Sequence, residues 1–192
     1  MKTNFTRFNT FLCAALLLAP LIGCATKSDD KSDDTEKHDK KEATVIELHI
    51  EGDAEDVNDT IAVPVGRDNP IAVEVEKDPF MDAQYLENAQ VMDEADGLFS
   101  IRLKFDWQGT SLLNAETARN PGRRVAVYCE FGKGKEKHFY IASPKITRPI
   151  SNGIFTFSPA VTHEEAERIV RGLNNVAKQV KKDSPFNDNL FK

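Results

Sequence analysis

Four histidines, three cysteines and a surplus of carboxylates are the residues of this chain with the widest chemical reach. The histidines stand at His38, His49, His138 and His163, and no two have the i,i+4 or HExxH spacing that sets two imidazoles on one metal ion. Gly132-Lys133-Gly134-Lys135 lacks the Gly-Lys-Ser/Thr ending of a phosphate loop and reads as a solvated hairpin turn. There is no Gly-x-Ser-x-Gly elbow. The acid pair Glu164-Glu165 stands just before a periodic apolar run and serves a helix start rather than acid–base chemistry. Asp29-Asp30 and Asp33-Asp34 with His38 sit in a mixed-sign tract that reads as solvated rather than metal-binding. Cys129 follows Val125 and Val127 in an apolar run, which reads as a buried structural thiol with no histidine partner. No catalytic residue, metal or cofactor is expected. The alternative is a hydrolase built on carboxylates such as Asp93, Glu94 and Asp96, which otherwise read as a solvated loop.

The cysteine that does carry chemistry is Cys24. Lys2 and Arg7 make a positive start, Leu12 to Ile22 form an uncharged apolar stretch, and Leu21-Ile22-Gly23-Cys24 closes it. The stretch is about half the roughly 20 residues a membrane-spanning helix needs, so it reads as a signal-peptide core. Its end resembles the bacterial lipobox, where a small residue precedes a thiol that is lipidated and becomes the new N-terminus. The resemblance implies cleavage between Gly23 and Cys24, lipidation of Cys24, and attachment to a membrane through that lipid. The location it implies is the cell envelope, facing the periplasm. Ala25, rather than Asp, after the cysteine favours the outer membrane under the enterobacterial sorting rule.

Composition narrows the rest. A formal charge of −6 and a pI near 5.3 exclude a nucleic-acid partner, which needs a basic stripe. A mean hydropathy of −0.45 excludes a polytopic membrane protein. Residues 25–43 hold 12 charged side chains and no large apolar one, a composition that cannot offset the entropy of ordering. The organisation expected is a signal peptide over 1–23, a lipid-anchored disordered linker over 24–43, one domain over 44–182 and a flexible tail over 183–192.

Within the domain, Val45, Ile46, Leu48 and Ile50 start a strand-like run, and Ile71, Val73 and Val75 alternate with polar neighbours. Tyr85 and Leu86 suggest a helical turn before Ala89 to Val91. Phe99, Ile101, Leu103 and Phe105 alternate with Arg102 and Lys104 as a half-buried strand does. A short helix opens at Gly109-Thr110 and closes at Asn120-Pro121-Gly122. Strands follow over 124–131, 139–146 and 154–157. The last helix starts with a capping box, Thr162 and Glu165, and repeats apolar residues from Ala166 to Val180 at three- and four-residue spacing. Its opposite face carries Glu167, Arg168, Arg171, Lys178 and Lys181. The order predicts an α+β fold: a mostly antiparallel sheet with two main helices on one face, ferredoxin-like in character.

Residues 83–178 resemble the first periplasmic domain of the bacterial protein-export membrane protein SecD and of its SecDF fusion. The resemblance rests on Ile101 to Phe105, Gly109, Leu113, Thr117, Asn120 and Gly122. It continues through Val125-Ala126-Val127, Ser143-Pro144, Ile146, Ile150, Gly153 and Val161-Thr162-His163-Glu164-Glu165-Ala166. Pro159 departs from the family, which usually has Gly there. No membrane-spanning segments follow in this sequence, so the resemblance implies the head domain and not proton-driven work. What it implies is a non-catalytic binding or assembly module that contacts unfolded or exported polypeptides or other envelope proteins. A sheet covered on one face leaves an edge that accepts an extended peptide by backbone pairing. The rims expected for it are the hairpin at 132–137 and Ser143 to Gly153, with Ser143, Pro144, Thr147, Asn152 and Gly153 as the residues that interrupt regular pairing.

Overall fold

The computed structural model describes residues 42–183 apart from 54, 56 and 57; Gly23, Cys24, His38 and most of the linker and tail lie outside them. Among the described residues nine strands and two long helices follow in order: β1 (Val45–Ile50), β2 (Thr60–Val65), β3 (Ile71–Glu76), β4 (Met81–Asp82), β5 (Leu86–Asp93), β6 (Phe99–Phe105), α1 (Trp107–Arg119), β7 (Val125–Phe131), β8 (Lys137–Ala142), β9 (Ile154–Phe157) and α2 (His163–Asp183). The class is α+β, and every strand pair is antiparallel except β2 with β8, which meet in parallel at Val65 and Tyr140.

The strands divide between two sheets, β3-β2-β8-β7-β1-β4 and β5-β6-β9. Ile46, Leu48 and Ile50 of β1 and Val125, Val127 and Cys129 of β7 bury one face of the larger sheet. They share a single core with Ile101 and Leu103 of β6, Phe155 and Phe157 of β9, and Ile169 and Leu173 of α2. The other face of β7 is covered as well. The β2–β3 hairpin curls over it, so that Val63, Val65, Val73 and Val75 enclose Ala126 in a second, smaller core. A bridge between Glu51 and Val75 fastens this curl, and His49 Nδ1 donates to the Glu76 carbonyl at 2.8 Å. Cys129 is fully buried, and burial pushes its thiol well above the usual range, as a structural cysteine requires.

Three local outcomes depart from the periodicity. Thr60–Val65 is a strand that Pro64 hides, because proline supplies no ladder N–H and normally marks an edge. Here the ladder to β8 begins only at Val65, so β2 is close to an edge strand at that proline. Helix α1 starts at Trp107, two residues before Gly109, because Asp106 accepts the Gly109 N–H at 2.8 Å and sets the cap. The strand predicted over 139–146 ends at Ala142, since Pro144 cannot continue the pairing. The helical turn near Tyr85 does form, as a single 3-10 turn over Ala83–Tyr85.

The capping box of α2 is present in both halves. Glu165 N–H donates to Thr162 Oγ1 at 3.2 Å, and Thr162 N–H donates to Glu165 Oε2 at 3.0 Å. The side of α2 expected to face water is partly covered. Arg168 and Arg171 reach Glu42 at 3.0 and 3.3 Å, and Asn175 Nδ2 donates to the Glu42 carbonyl at 2.9 Å. These cations therefore hold residues 42–44 against the helix instead of being solvated.

Candidate functional site: a groove along a free strand edge

The smaller sheet has two margins, and they end differently. On β5, Asn174 of α2 satisfies both outward groups of Ala89: its Oδ1 accepts the Ala89 N–H and its Nδ2 donates to the Ala89 carbonyl, each at 2.9 Å. At Ala89 that margin is closed by a side chain acting as a substitute strand. On β9, no strand and no helix side chain plays this part among the described residues. Phe105 N–H donates to the Gly153 carbonyl at 2.9 Å, and the register runs Lys104↔Ile154, Leu103↔Phe155, Arg102↔Thr156. Antiparallel alternation then directs the backbone groups of Ile154 and Thr156 away from β6. Asn152 Oδ1 accepts the Ile154 N–H at 3.0 Å, while among the described residues no group meets the outward N–H and C=O of Thr156.

Beside this edge lies an open groove of about 530 Å³, within the range of clefts that hold ligands. One wall is β9, through Ile154, Phe155 and Thr156; the other is the segment from Pro144 to Asn152. That segment is fastened at several points. Arg124 Nη1 donates to the Ser143 carbonyl at 2.9 Å, and Val125 N–H donates to the Pro144 carbonyl at 2.9 Å. Ile146 is buried, and its backbone bonds Arg123 and Gly122 at 2.7 and 2.9 Å. Further on, Ile150 N–H donates to Thr117 Oγ1 at 2.9 Å, and that hydroxyl donates in turn to the Leu113 carbonyl at 2.7 Å. Between these anchors Thr147, Arg148 and Pro149 stand exposed. Pro149 has no N–H to offer β9, so this wall cannot zip onto the edge as a strand there.

Of the expected rim residues, Pro144, Thr147 and Asn152 line the groove, and Ser143 and Gly153 sit at its two ends. Gly153 adopts φ +69°, and a Cβ there would collide with Thr110 of α1, so only glycine lets the chain turn into β9. The hairpin at 132–137 lies at the far end of β7, about 20 Å away at strand rise, where Lys137 meets Glu165 at 2.6 Å. Sequence reasoning missed Lys145, Arg148 and the outward backbone of β9. Which edge stays free depends on strand order and on Asn174, and neither has a local signal.

Among the described residues the other polar clusters lie apart from one another. His163 Nε2 pairs with the exposed Asp93 at 2.9 Å, and Asp96 sits at φ 60° in the turn between β5 and β6. His49 is buried and His138 exposed, in different strands. Among the described residues no group of three His, Cys, Asp or Glu side chains is placed to hold a metal ion, and no helix is long and apolar enough to cross a membrane.

Two sheets on a shared core, a β5 margin capped at Ala89 and a β9 margin open at Thr156 beside a groove define an α+β domain with an accessible edge. The model of the SecDF P1 head subdomain matches residues 59–177, more than half of the sequence. The chain belongs to that family. Two solved structures share its fold. One is described as a membrane component SecDF that enhances protein export: 16% identity, TM-score 0.52, covering 74% of this chain and 67% of that one. The other is SecDF in a super-membrane-facing form, also at 16% identity and TM-score 0.52; the match covers 74% of this chain but 20% of that one. A comparison with curated proteins finds no match.

Proposed function

We propose that this protein is a lipid-anchored, periplasm-facing module that holds extended polypeptide segments along the free edge of β9, without catalysis. Cys24, released by cleavage after Gly23, is the lipidated residue, residues 25–41 are the spacer, since Glu42 is held against α2, and residues 184–192, beyond the end of α2, are a flexible tail. The outer membrane is the favoured anchor site. Export substrates and other envelope proteins are the partners in this reading. The observation that carries it is the outward backbone of Thr156 beside the groove, unpartnered among the described residues: an extended chain laid there gains ladder hydrogen bonds at Thr156 without displacing any, whereas the Ile154 N–H is already held by Asn152. Family membership supports it, because the SecDF solved with this fold is described as enhancing protein export.

The test uses cells making the full chain with a photoreactive residue at position 147, 152 or 178, and a radioactive fatty acid in the medium. Exposed Lys178 on α2 is the control site. Unfolded envelope polypeptides are expected to crosslink at 147 and 152 several-fold more than at 178. A Cys24→Ser variant is expected to lose the fatty-acid label. Even crosslinking at all three positions would overturn the binding half, and an unchanged label in Cys24→Ser the anchoring half.

A further inference from the structure

We infer that the segment held at β9 is acidic: an extended stretch with Asp or Glu at alternate positions, whose carboxylates meet Lys145 and Arg148. This rests on the edge-binding reading above and names its substrate class. Lys145 and Arg148 are the ionisable side chains lining the groove, and no carboxylate faces them across it. Both are exposed, and neither has an ion-pair partner among the described residues. Several cations elsewhere on this domain are matched by carboxylates: Lys104 with Glu87 at 2.8 Å, Arg67 and Lys137 with Glu165, Arg168 and Arg171 with Glu42. In a chain with 31 acidic and 25 basic residues, a groove holding cations alone is a local reversal of sign. On the sheet side, Arg102 stands opposite Thr156 in register, and its Nε is buried without a hydrogen-bond partner. A strand added to the outer edge of β9 therefore has Lys145 and Arg148 on its far side, while Arg102 lies one strand further in, with β9 between.

Strand geometry sets the spacing. Side chains at i and i+2 point to the same face, about 7 Å apart, so carboxylates at alternate positions all reach one side. A segment of that pattern supplies ladder bonds through its backbone and charge complementarity through one face. A basic segment would place like charges together, which opposes binding.

The experiment measures fluorescence anisotropy of three labelled unstructured peptides with the full chain in detergent. The peptides share one alternating sequence and carry Glu, Gln or Lys at every second position. The Glu peptide is expected to bind about five- to tenfold more tightly than the Gln peptide at low salt, with the difference shrinking as salt screens it. In a Lys145→Glu, Arg148→Glu double variant the Gln peptide should keep its affinity while the Glu peptide loses its advantage. That unchanged Gln affinity shows that the groove is intact. Equal affinity for all three peptides would overturn the acidic preference and leave edge binding standing. Failure of all three to bind would overturn edge binding and this inference with it.

Discussion

Replacing Leu173 of α2 with alanine is expected to lower the unfolding free energy by about 2–5 kcal/mol, the range for truncating a fully buried leucine that leaves a cavity. Leu173 is 0% exposed, as is Ile169 one turn earlier, and both pack into the core shared by the two sheets. Helix α2 therefore acts on the fold from both directions. Its apolar face closes the core, and Asn174, the residue after Leu173, caps the β5 margin at Ala89. Lys178→Ala, on the exposed side of the same helix, is expected to change stability by no more than about 0.5 kcal/mol. Arg171 is a poor control because it pairs with Glu42. Urea denaturation of Leu173→Ala, Ile169→Ala and Lys178→Ala provides the check, and equal losses in all three would mean that α2 does not pack as described.

The second large effect depends on pH. Burial pushes the Glu165 carboxyl up, but Lys137, the Thr162 backbone N–H and Arg67 outweigh it and hold the group at about 2, well below its usual 4.5. A carboxylate whose pKa is lower folded than unfolded adds stability above the unfolded value. That stability fades as pH falls through the folded one. Arg67 and Lys137 are each about 40% exposed, so solvent screens the pairs. Glu165→Gln keeps the capping-box geometry and removes only the charge. It is expected to cost about 2 kcal/mol near neutral pH, with the loss shrinking steadily between about pH 4.5 and pH 2. Denaturation midpoints of both proteins across that range measure it. A difference that stays constant down to pH 2 would show that the charge is not the source.

These contacts show what local pattern can and cannot convey. The capping box, the apolar stripe of α2 and the alternation of β6 are written within a few residues, and each forms where its period places it. The interruption at Ser143 to Gly153 was legible for the same reason, since proline and glycine act on their own backbone. The division into two sheets was not. Phe99–Phe105 alternates in the same way whichever strands flank it, and its partners β5 and β9 are fixed by packing across the chain. Pro64 concealed β2, and Arg168 and Arg171 looked solvated because Glu42, more than 120 residues away in sequence, had no local signature. The groove belongs to this second kind. Lys145 and Arg148 become neighbours of Thr156 only once β9 lies at a margin that Asn174 does not cover.

Amide hydrogen exchange, read residue by residue with and without a saturating extended peptide, tests the free edge most directly. The Thr156 N–H has no acceptor among the described residues and is expected to exchange freely in the unbound protein and to slow at least tenfold when the peptide pairs with it. The Phe155 N–H, already committed to β6, should change little, and so should the hairpin at 132–137. Protection confined to the hairpin, or no change at Thr156 while peptide is bound, would contradict binding along β9.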